Sequence, residues 1–190
     1  MTWHLKPLAD APPIPWKNGG GLTSELMAWP ESQAWDWRMS VAEIGRSGPF
    51  STFDGVERWF AVLTGAGVQL DVGTARAAEA YKLTPEVAPL CFAGESQVDC
   101  TLTIGAAQAF NLMLRRGTAQ GRMLRVAGDF SIELDASKII AVYAISTGVS
   151  VHFDDECLEL PVNTLAWRDC PRAGKLQVWA AQALWIEIAC

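Results

Sequence analysis

Two arginines and three glutamates lie in stretches of this sequence that are otherwise apolar or strictly alternating. Arg38 and Arg58 each fall inside a predicted strand, and Glu25, Glu43 and Glu57 lie nearby. A buried arginine without a counter-charge is very costly, so each arginine needs a carboxylate partner. That partner is either one of these glutamates or the carboxylate of a ligand, which a guanidinium binds with two parallel hydrogen bonds. The pattern therefore predicts either internal ion pairs or a site for a small acid.

Other polar and aromatic residues accompany the two arginines. Arg38, Ser40 and Arg58 are expected on adjacent strands, where their side chains would converge. The further candidates are hydrogen-bonding and ring-bearing side chains, namely Asn18, Thr23, Asn111, Trp16 and Phe60. Amides and hydroxyls give direction to a bound ligand, and aromatic rings stack on a planar one. Together they predict a pocket for a small carboxylic acid, aromatic acids included.

Support for catalysis is weaker. The chain has no G-x-S-x-G elbow, and no histidine stands near a serine or cysteine motif. General acid–base work by Glu25, Glu43 or Glu57 remains open, because a carboxylate in a barrel mouth can have a raised pKa. Pairing of these carboxylates with Arg38 or Arg58 is the favoured alternative. Binding is therefore preferred to catalysis, and no cofactor is predicted.

The strands that position these groups follow from alternation of apolar and polar residues. Trp35–Ala42 alternates strictly, which is typical of a strand with two unlike faces. Arg58–Leu63 and Val68–Val72 flank a short loop with two glycines, a pattern typical of a hairpin. A second hairpin-like pair is predicted at 87–93 and 98–104, and a loop or short helix at 73–86.

The chain as a whole shows many short strands and few plausible helices. Turn signals recur every 8–12 residues or so, which favours an all-β sandwich or barrel. Residues 1–15 contain four prolines and are predicted to form an arm on the surface. Two strand-rich halves, joined near residues 110–125, suggest a duplicated barrel within one compact unit.

Composition limits the partners and the compartment. The 190 residues have a formal net charge of −6 and no basic stripe, which argues against a nucleic-acid partner. Neither a signal peptide nor a bilayer-spanning apolar run is evident, so no membrane partner is predicted. The five cysteines form no CxxC pair, as in proteins of a reducing compartment, and a cytoplasmic location is predicted. Unpaired cysteines and nine tryptophans are compatible with a homodimer.

The segment 48–65 resembles the first motif of a cupin. In that family two histidines precede a glutamate and an aromatic–Val-Leu-x-Gly strand, and here Glu57 and Phe60–Gly65 match. Ser51 and Phe53 stand at the histidine positions and join the ligand-binding candidates. A metal-dependent cupin needs about three imidazoles and a carboxylate, whereas this chain has His4 and His152 only. His152 alternates with apolar neighbours and is predicted on a solvated face, so no metal site is predicted.

Three blocks together are similar to the HutD/Ves family: WKNGGGLTSE at 16–25, WRMSVAEI with GPFSTFDGVERWFAVLTGAG within 37–67, and FNLMLRR at 110–116. The resemblance implies an all-β, double-stranded β-helix (cupin) fold with two cupin-like halves in one compact unit, a bicupin. We place these halves at residues 1–110, with the arm at 1–15, and at 111–190. One branch of the family is encoded among histidine-utilisation genes, and the other is described as stress-induced.

Three hypotheses follow. The first is a metal-free protein that binds a small carboxylic acid such as urocanate or formylglutamate, and acts as a regulator or sensor in histidine utilisation or stress response, as the resemblance implies. The second is a metal-independent isomerase or hydrolase that uses a pocket glutamate. The third is a non-catalytic interaction module with a tryptophan-rich surface.

Overall fold

The computed structural model describes residues 2–74, 77–135 and 137–189, and this part of the chain consists mainly of β-strands. It contains one short 3-10 helix, Leu8–Asp10, and 17 strands. The strands are β1 (His4–Pro7), β2 (Pro13–Pro15), β3 (Gly21–Trp29), β4 (Trp37–Ile44), β5 (Gly48–Pro49), β6 (Val56–Thr64), β7 (Val68–Thr74), β8 (Ala77–Leu83), β9 (Leu90–Ala93), β10 (Gln97–Leu102), β11 (Ala107–Arg115), β12 (Gln120–Leu134), β13 (Lys138–Ala144), β14 (Val149–Phe153), β15 (Glu156–Leu160), β16 (Thr164–Cys170) and β17 (Gly174–Ala189). Within the described ranges, no helix is long and apolar enough to cross a membrane. The all-β prediction is confirmed.

The strands form two units. Residues 12–118 form the N-terminal unit, and residues 1–11 together with 119–190 form the C-terminal unit. The predicted boundary between residues 110 and 111 falls inside β11, which pairs with β4 on one side and β6 on the other. A boundary there would cut a strand in the middle of a sheet. The chain instead passes to the second unit after β11 has ended.

Two parts of the predicted arm, residues 4–7 and 13–15, are paired edge strands and not an unpaired surface segment. β1 pairs with β16 in the C-terminal unit, with His4 opposite Trp167. β2 pairs with β3 in the N-terminal unit, with Ile14 opposite Thr23. Each is the edge strand of its sheet, where proline is tolerated because one side of the strand needs no backbone N–H donor. The prolines therefore mark edge strands here.

Two sheets make up the N-terminal unit. One has the strand order β2-β3-β4-β11-β6-β9 and the other β5-β10-β7-β8. Its core combines Ile44, Phe60 and Val62 from the first sheet with Leu70 and Val98 from the second. The core therefore lies between the two sheets, and the inward faces of β4, β6 and β11 point into it.

The glycines after β6 turn the chain from one sheet to the other. β6 and β7 lie in different sheets, so the hairpin predicted there is wrong, as is the one predicted for β9 and β10. Gly65 and Gly67 have φ values of +96° and +101°, and a Cβ at Gly67 would lie 2.4 Å from the carbonyl oxygen of Leu83. Glycine alone fits this corner readily. The predicted loop or helix at 73–86 is also wrong, because β8 pairs there with β7.

The C-terminal unit repeats the strand order of the N-terminal unit. Its order β12-β17-β13-β16 corresponds to β4-β11-β6-β9, with β17 and β11 as the central strands. Trp185, Phe153 and Val142 belong to its core, and Phe130 packs against it. The predicted duplication is therefore confirmed.

Candidate functional site

A cavity of about 490 Å³ opens in the N-terminal unit. Strands β3, β4, β6 and β11 form part of its wall, and residues 14–18 and 49–53 complete it. Ten of the twelve predicted ligand-binding residues line this cavity: Trp16, Asn18, Thr23, Arg38, Ser40, Ser51, Phe53, Arg58, Phe60 and Asn111. Its volume lies within the usual range for sites that take small molecules.

The pairing of three strands brings the polar groups together. Met113 of β11 stands opposite both Arg38 of β4 and Arg58 of β6. Asn111, two residues earlier, stands opposite both Ser40 and Phe60. The two arginines are therefore not on adjacent strands, as the sequence suggested, but two strand spacings apart, roughly 10 Å between backbones. Within each strand these residues are two positions apart, so their side chains all point to the cavity face.

Arg58 is the most unusual group in the cavity wall, because its charge is buried without a carboxylate. Its residue is only 6% exposed. One terminal nitrogen donates to the Ser51 carbonyl oxygen at 3.2 Å and the other to Asn111 Oδ1 at 3.4 Å. Its Nε–H finds no acceptor, and among the described residues no carboxylate forms an ion pair with it. Burial, and secondly the charge of Arg38, lower the pKa of Arg58 to about 10.

Aromatic rings surround the Arg58 guanidinium. Its central carbon lies 5.5 Å from the ring centres of Phe50 and Phe53 and 5.1 Å from that of Phe92. Ring faces attract a cation, each by about 0.5–1 kcal/mol at exposed sites and by more where water is excluded. These rings hold the guanidinium in place but do not neutralise it. An anion that enters the cavity meets a fixed positive charge.

Arg38, in contrast, has an internal partner. Its Nε lies 2.9 Å from Glu25 Oε2, although the N–H is not aligned for a hydrogen bond. Ser32 donates a hydrogen bond to the other carboxylate oxygen of Glu25. An irregularity in β3 between Glu25 and Met27 shifts the pairing so that Glu25 stands opposite Ser40, one row from Arg38. Internal pairing, one of the two predicted possibilities, thus applies to Arg38.

The other two glutamates lie away from the cavity. Glu43 is exposed, and its position in β4 is out of phase with the cavity-lining residues Arg38 and Ser40. Glu57 accepts a hydrogen bond from the Trp59 indole at 2.9 Å on the opposite face of β6. Neither side chain is placed to act on a ligand in the cavity.

Residues 16–18, the first part of the glycine-rich segment 16–21, line the edge of the cavity. The Trp16 indole donates to Thr23 Oγ1 at 2.7 Å, and its ring meets Phe50 edge-on with centres 6.1 Å apart. Asn18 Oδ1 accepts the backbone N–H of Gly20 at 2.9 Å. A Cβ at Gly21 would lie 2.2 Å from the Glu43 carbonyl oxygen, so this glycine permits the close approach of β3 to β4. The segment both enters the strand tightly and forms a cavity edge.

Some cavity residues were missed in the sequence. Phe50 and Met113 line the cavity, and Lys17 lies exposed at its rim. Met113 alternates with Asn111 and could have been found from that spacing. Phe50 carries no such signal, because it lies in an irregular segment after β5 where side-chain direction does not follow from periodicity.

In the C-terminal unit the buried charges have partners. Glu187 of the central strand β17 is 8% exposed and pairs with Arg122 of β12 at 3.0 Å and with Lys138 of β13. The buried Arg168 donates to Glu156 Oε2 at 2.6 Å. Among the described residues, the buried Arg168 of the C-terminal unit has a carboxylate partner and the buried Arg58 of the N-terminal unit has none.

Neither histidine lines this cavity, and both belong to the C-terminal unit. His4 stacks on Trp167 with ring centres 5.1 Å apart. His152 is exposed, as predicted, and its Nε2 lies 3.5 Å from Cys157 Sγ. Over the described ranges, no three His, Cys, Asp or Glu side chains cluster so that they could hold a metal ion.

The fold matches solved cupin proteins over almost the whole chain. An oxalate decarboxylase of Lactobacillus farciminis superimposes with a TM-score of 0.65 at 6% identity, covering 97% of this chain and 85% of that one. At such identity the match concerns the fold alone. Fold and site together define a double-stranded β-helix protein, a bicupin, with a cationic cavity in its N-terminal unit.

A family model described as HutD matches residues 8–186, and the chain belongs to the HutD family. An uncharacterized 21.2 kDa protein in the hutC 3′ region of Pseudomonas putida is 38% identical over 144 residues, 75% of this chain and 73% of that protein. Protein Ves of Cronobacter sakazakii is 30% identical over 91% of both chains. The predicted resemblance is confirmed.

Solved structures of the same size agree. A conserved protein of unknown function from Pseudomonas aeruginosa PAO1 has a TM-score of 0.88 and 28% identity, with full coverage of both chains. HutD from Pseudomonas fluorescens SBW25, in a structure described as a formate condition, has a TM-score of 0.83 and 29% identity, covering 99% of this chain and 98% of that one.

Proposed function

We propose that this protein binds a small carboxylic acid in the cavity of its N-terminal unit and acts as a cytoplasmic metabolite sensor or regulator. The observation that carries the proposal is Arg58, a buried cation on the cavity wall that has hydrogen bonds and aromatic neighbours but, within the described part of the chain, no carboxylate. A ligand carboxylate would supply the missing charge with charge-assisted hydrogen bonds. Urocanate and formylglutamate are the first candidates, from the family resemblance.

The neighbours of Arg58 support an anion. Because Asn111 Oδ1 accepts from Arg58, the amide nitrogen of Asn111 is the atom left to donate to a ligand. Ser40 stands opposite Asn111 on the next strand and adds a hydroxyl to the same wall. The structure of HutD from P. fluorescens described as a formate condition is consistent with this, since formate is the smallest carboxylate.

The enzyme hypothesis has less support. Among the described residues that line the cavity there is no Asp or Glu. Glu25 is engaged by Arg38 and Ser32, which leaves it no free role as an acid or base. The interaction-module hypothesis, including a homodimer, rests on two exposed tryptophans, Trp29 and Trp179, at 50% and 53% exposure.

Thermal unfolding with millimolar urocanate, formylglutamate or formate tests the proposal. A ligand at 100 times its Kd adds about 2.7 kcal/mol to the stability of the folded state, a shift of several degrees. We expect at least one acid to raise the melting temperature, and Arg58→Met to abolish the shift. Arg172→Met, at an exposed position, is the matched control and should keep it.

Recovery of the acid separates binding from turnover. After prolonged incubation with the protein, the acid that shifts the melting temperature should give an unchanged NMR spectrum. Conversion of the acid would favour the enzyme hypothesis. A melting temperature that no acid raises, or a shift that persists in Arg58→Met, would refute the proposed site.

A further inference from the structure

The charges around the cavity fix how many anionic groups a ligand can carry, and this inference rests on the proposed function. Arg58 is positive and has no carboxylate, whereas Arg38 is neutralised by Glu25 at 2.9 Å. The side chain of Arg38 is 22% exposed and that of Glu25 is 24%, so this pair is partly shielded from solvent. Lys17 is exposed at the rim, where water screens its charge. Among the described residues that line the cavity, Arg58 is thus the buried charge that has no opposite charge beside it.

In the C-terminal unit, which has the same strand arrangement, carboxylates of the protein itself pair with the corresponding cations. There the central strand β17 supplies Glu187, which forms ion pairs with cations on both flanking strands, Arg122 on β12 and Lys138 on β13, and Asp135 adds a second carboxylate to Lys138. In the N-terminal unit the central strand β11 also lies between two cation-bearing strands. Opposite Arg38 and Arg58 it presents Met113, and two residues earlier it presents Asn111, opposite Ser40 and Phe60; neither residue carries a charge.

Apart from the exposed Lys17 and the uncharged polar residues Asn18, Thr23, Ser40 and Ser51, the rest of the cavity wall is apolar or aromatic. Trp16, Phe50 and Phe60 form a connected set of rings, with centres 6.1 Å apart between Trp16 and Phe50 and 5.8 Å apart between Phe50 and Phe60. Ala42 and Ile44 continue this surface along β4. A second charge buried against such a wall would lose its hydration without compensation.

We propose that the cavity selects monoanions: one carboxylate at Arg58 and Asn111, with an uncharged, flat or apolar remainder against the aromatic wall. Of the two first candidates, urocanate has one carboxylate and formylglutamate has two, so the selection favours urocanate. Glu25 enforces the selection. A second carboxylate reaching Arg38 would meet a cation that is already paired, with the Glu25 carboxylate beside it. Asn111 keeps the first position open, because a carboxylate on the central strand would fill it as Glu187 does in the C-terminal unit.

Two acids of nearly the same shape test this. 4-Carbamoylbenzoate carries one carboxylate, and terephthalate replaces its amide by a second one. Calorimetric titration of the wild-type protein should show 4-carbamoylbenzoate binding at least about tenfold more tightly, a difference of about 1.4 kcal/mol. Equal or tighter binding of terephthalate would overturn the inference and leave the proposed function standing. Failure of both probes and of every acid tested above would refute both.

Glu25→Gln provides the sharper test. It frees Arg38, so terephthalate should gain at least tenfold relative to 4-carbamoylbenzoate. Glu43→Gln removes the same charge from an exposed position on the neighbouring strand and should leave the ratio unchanged. A ratio that does not move in Glu25→Gln, or moves equally in Glu43→Gln, contradicts the role given to Glu25.

Asn111→Asp gives a readout that needs no ligand. An internal carboxylate next to Arg58 should raise the melting temperature by several degrees and abolish binding of 4-carbamoylbenzoate. Gln97→Glu, an exposed position, controls for the added negative charge. A lower melting temperature in Asn111→Asp than in Gln97→Glu would show that a carboxylate at position 111 does not stabilise the charge of Arg58, which would contradict the proposed binding position.

Discussion

Replacing Arg58 by methionine should make the ligand-free protein more stable, although it removes a buried residue with two hydrogen bonds. Burial, with a contribution from Arg38, lowers the pKa of Arg58 to about 10. Since one pKa unit corresponds to about 1.4 kcal/mol, holding this charge in the fold costs about 3 kcal/mol relative to the unfolded chain. Methionine carries no charge and packs well against phenylalanine rings.

The lost interactions offset part of this gain. The hydrogen bonds to Ser51 and Asn111 contribute about 1 kcal/mol each. The three ring contacts of the guanidinium contribute about 0.5–1 kcal/mol each, and contacts of the methionine sulfur with the same rings, at about 0.3–1.5 kcal/mol each, replace them. We therefore expect Arg58→Met to gain about 1 kcal/mol, which for a chain of this length raises the melting temperature by about 2–4 °C. The gain should be constant from neutral pH to about pH 9. Above about pH 10 the Arg58 side chain of the folded wild type loses its proton before that of the unfolded chain does, so the buried charge no longer destabilises the fold. The stability difference between Arg58→Met and the wild type should therefore shrink.

Urea unfolding at pH 7 and pH 9, without ligand, measures this difference. Arg172→Met, exposed and in the C-terminal unit, is the control and should change stability by less than about 0.5 kcal/mol. A loss of more than about 1 kcal/mol in Arg58→Met would refute the reasoning. It would show that the phenylalanine rings and hydrogen bonds make Arg58 a structural cation that needs no ligand.

Three further predictions concern other parts of the structure. Gly21→Ala should lower the free energy of unfolding by about 2 kcal/mol, because its Cβ would lie 2.2 Å from the Glu43 carbonyl oxygen. Gly45→Ala, whose Cβ would have its nearest atom at 3.7 Å, is the control and should be nearly neutral in urea unfolding. Equal losses in the two variants would contradict this prediction. Glu187→Gln should lower the free energy of unfolding by about 2–3 kcal/mol, since Arg122 and Lys138 lose their shared carboxylate. Glu159→Gln, at an exposed position, should leave the stability unchanged. A loss below about 1 kcal/mol in Glu187→Gln would show that the cluster is not stabilising. Iodoacetamide at pH 8 should label Cys157 well before Cys91, although both residues are exposed. The reason is that the thiol of Cys91 is partly desolvated and lies near Glu57, which together raise its pKa to about 12. Equal labelling of the two cysteines, followed by mass spectrometry, would contradict this prediction.

Much of the cavity wall could be predicted from alternation and charge. Strict alternation in 35–42 assigned Arg38 and Ser40 to one face of a strand, and the structure places both on the cavity. The need of a buried arginine for a carboxylate led to two possibilities, an internal partner or a ligand. The structure shows the first at Arg38, and Arg58 has no internal carboxylate among the described residues.

The rest depended on information that periodicity does not contain. A glycine-rich connection between two alternating strands is the same in sequence whether it makes a hairpin or a corner between sheets, and at Gly65 and Gly67 it makes a corner. The partner of Arg38 depends on an irregularity in β3 after Glu25, which shifts the pairing by one residue. The order of β4, β11 and β6 is a long-range property, so the spacing of the two arginines did not follow from their local sequence.

The discontinuity of the C-terminal unit has a consequence for synthesis on the ribosome. Residues 12–118 form one continuous stretch, so the N-terminal unit can complete its sheets while the chain is still growing. β1 is among the first residues to emerge, yet its partner β16 is made only after Thr164 has been added. β1 therefore stays unpaired with β16 until almost the whole chain has been synthesised. Deleting residues 1–11 should consequently leave the cavity intact and expose the edge of β16, at the other end of the sequence.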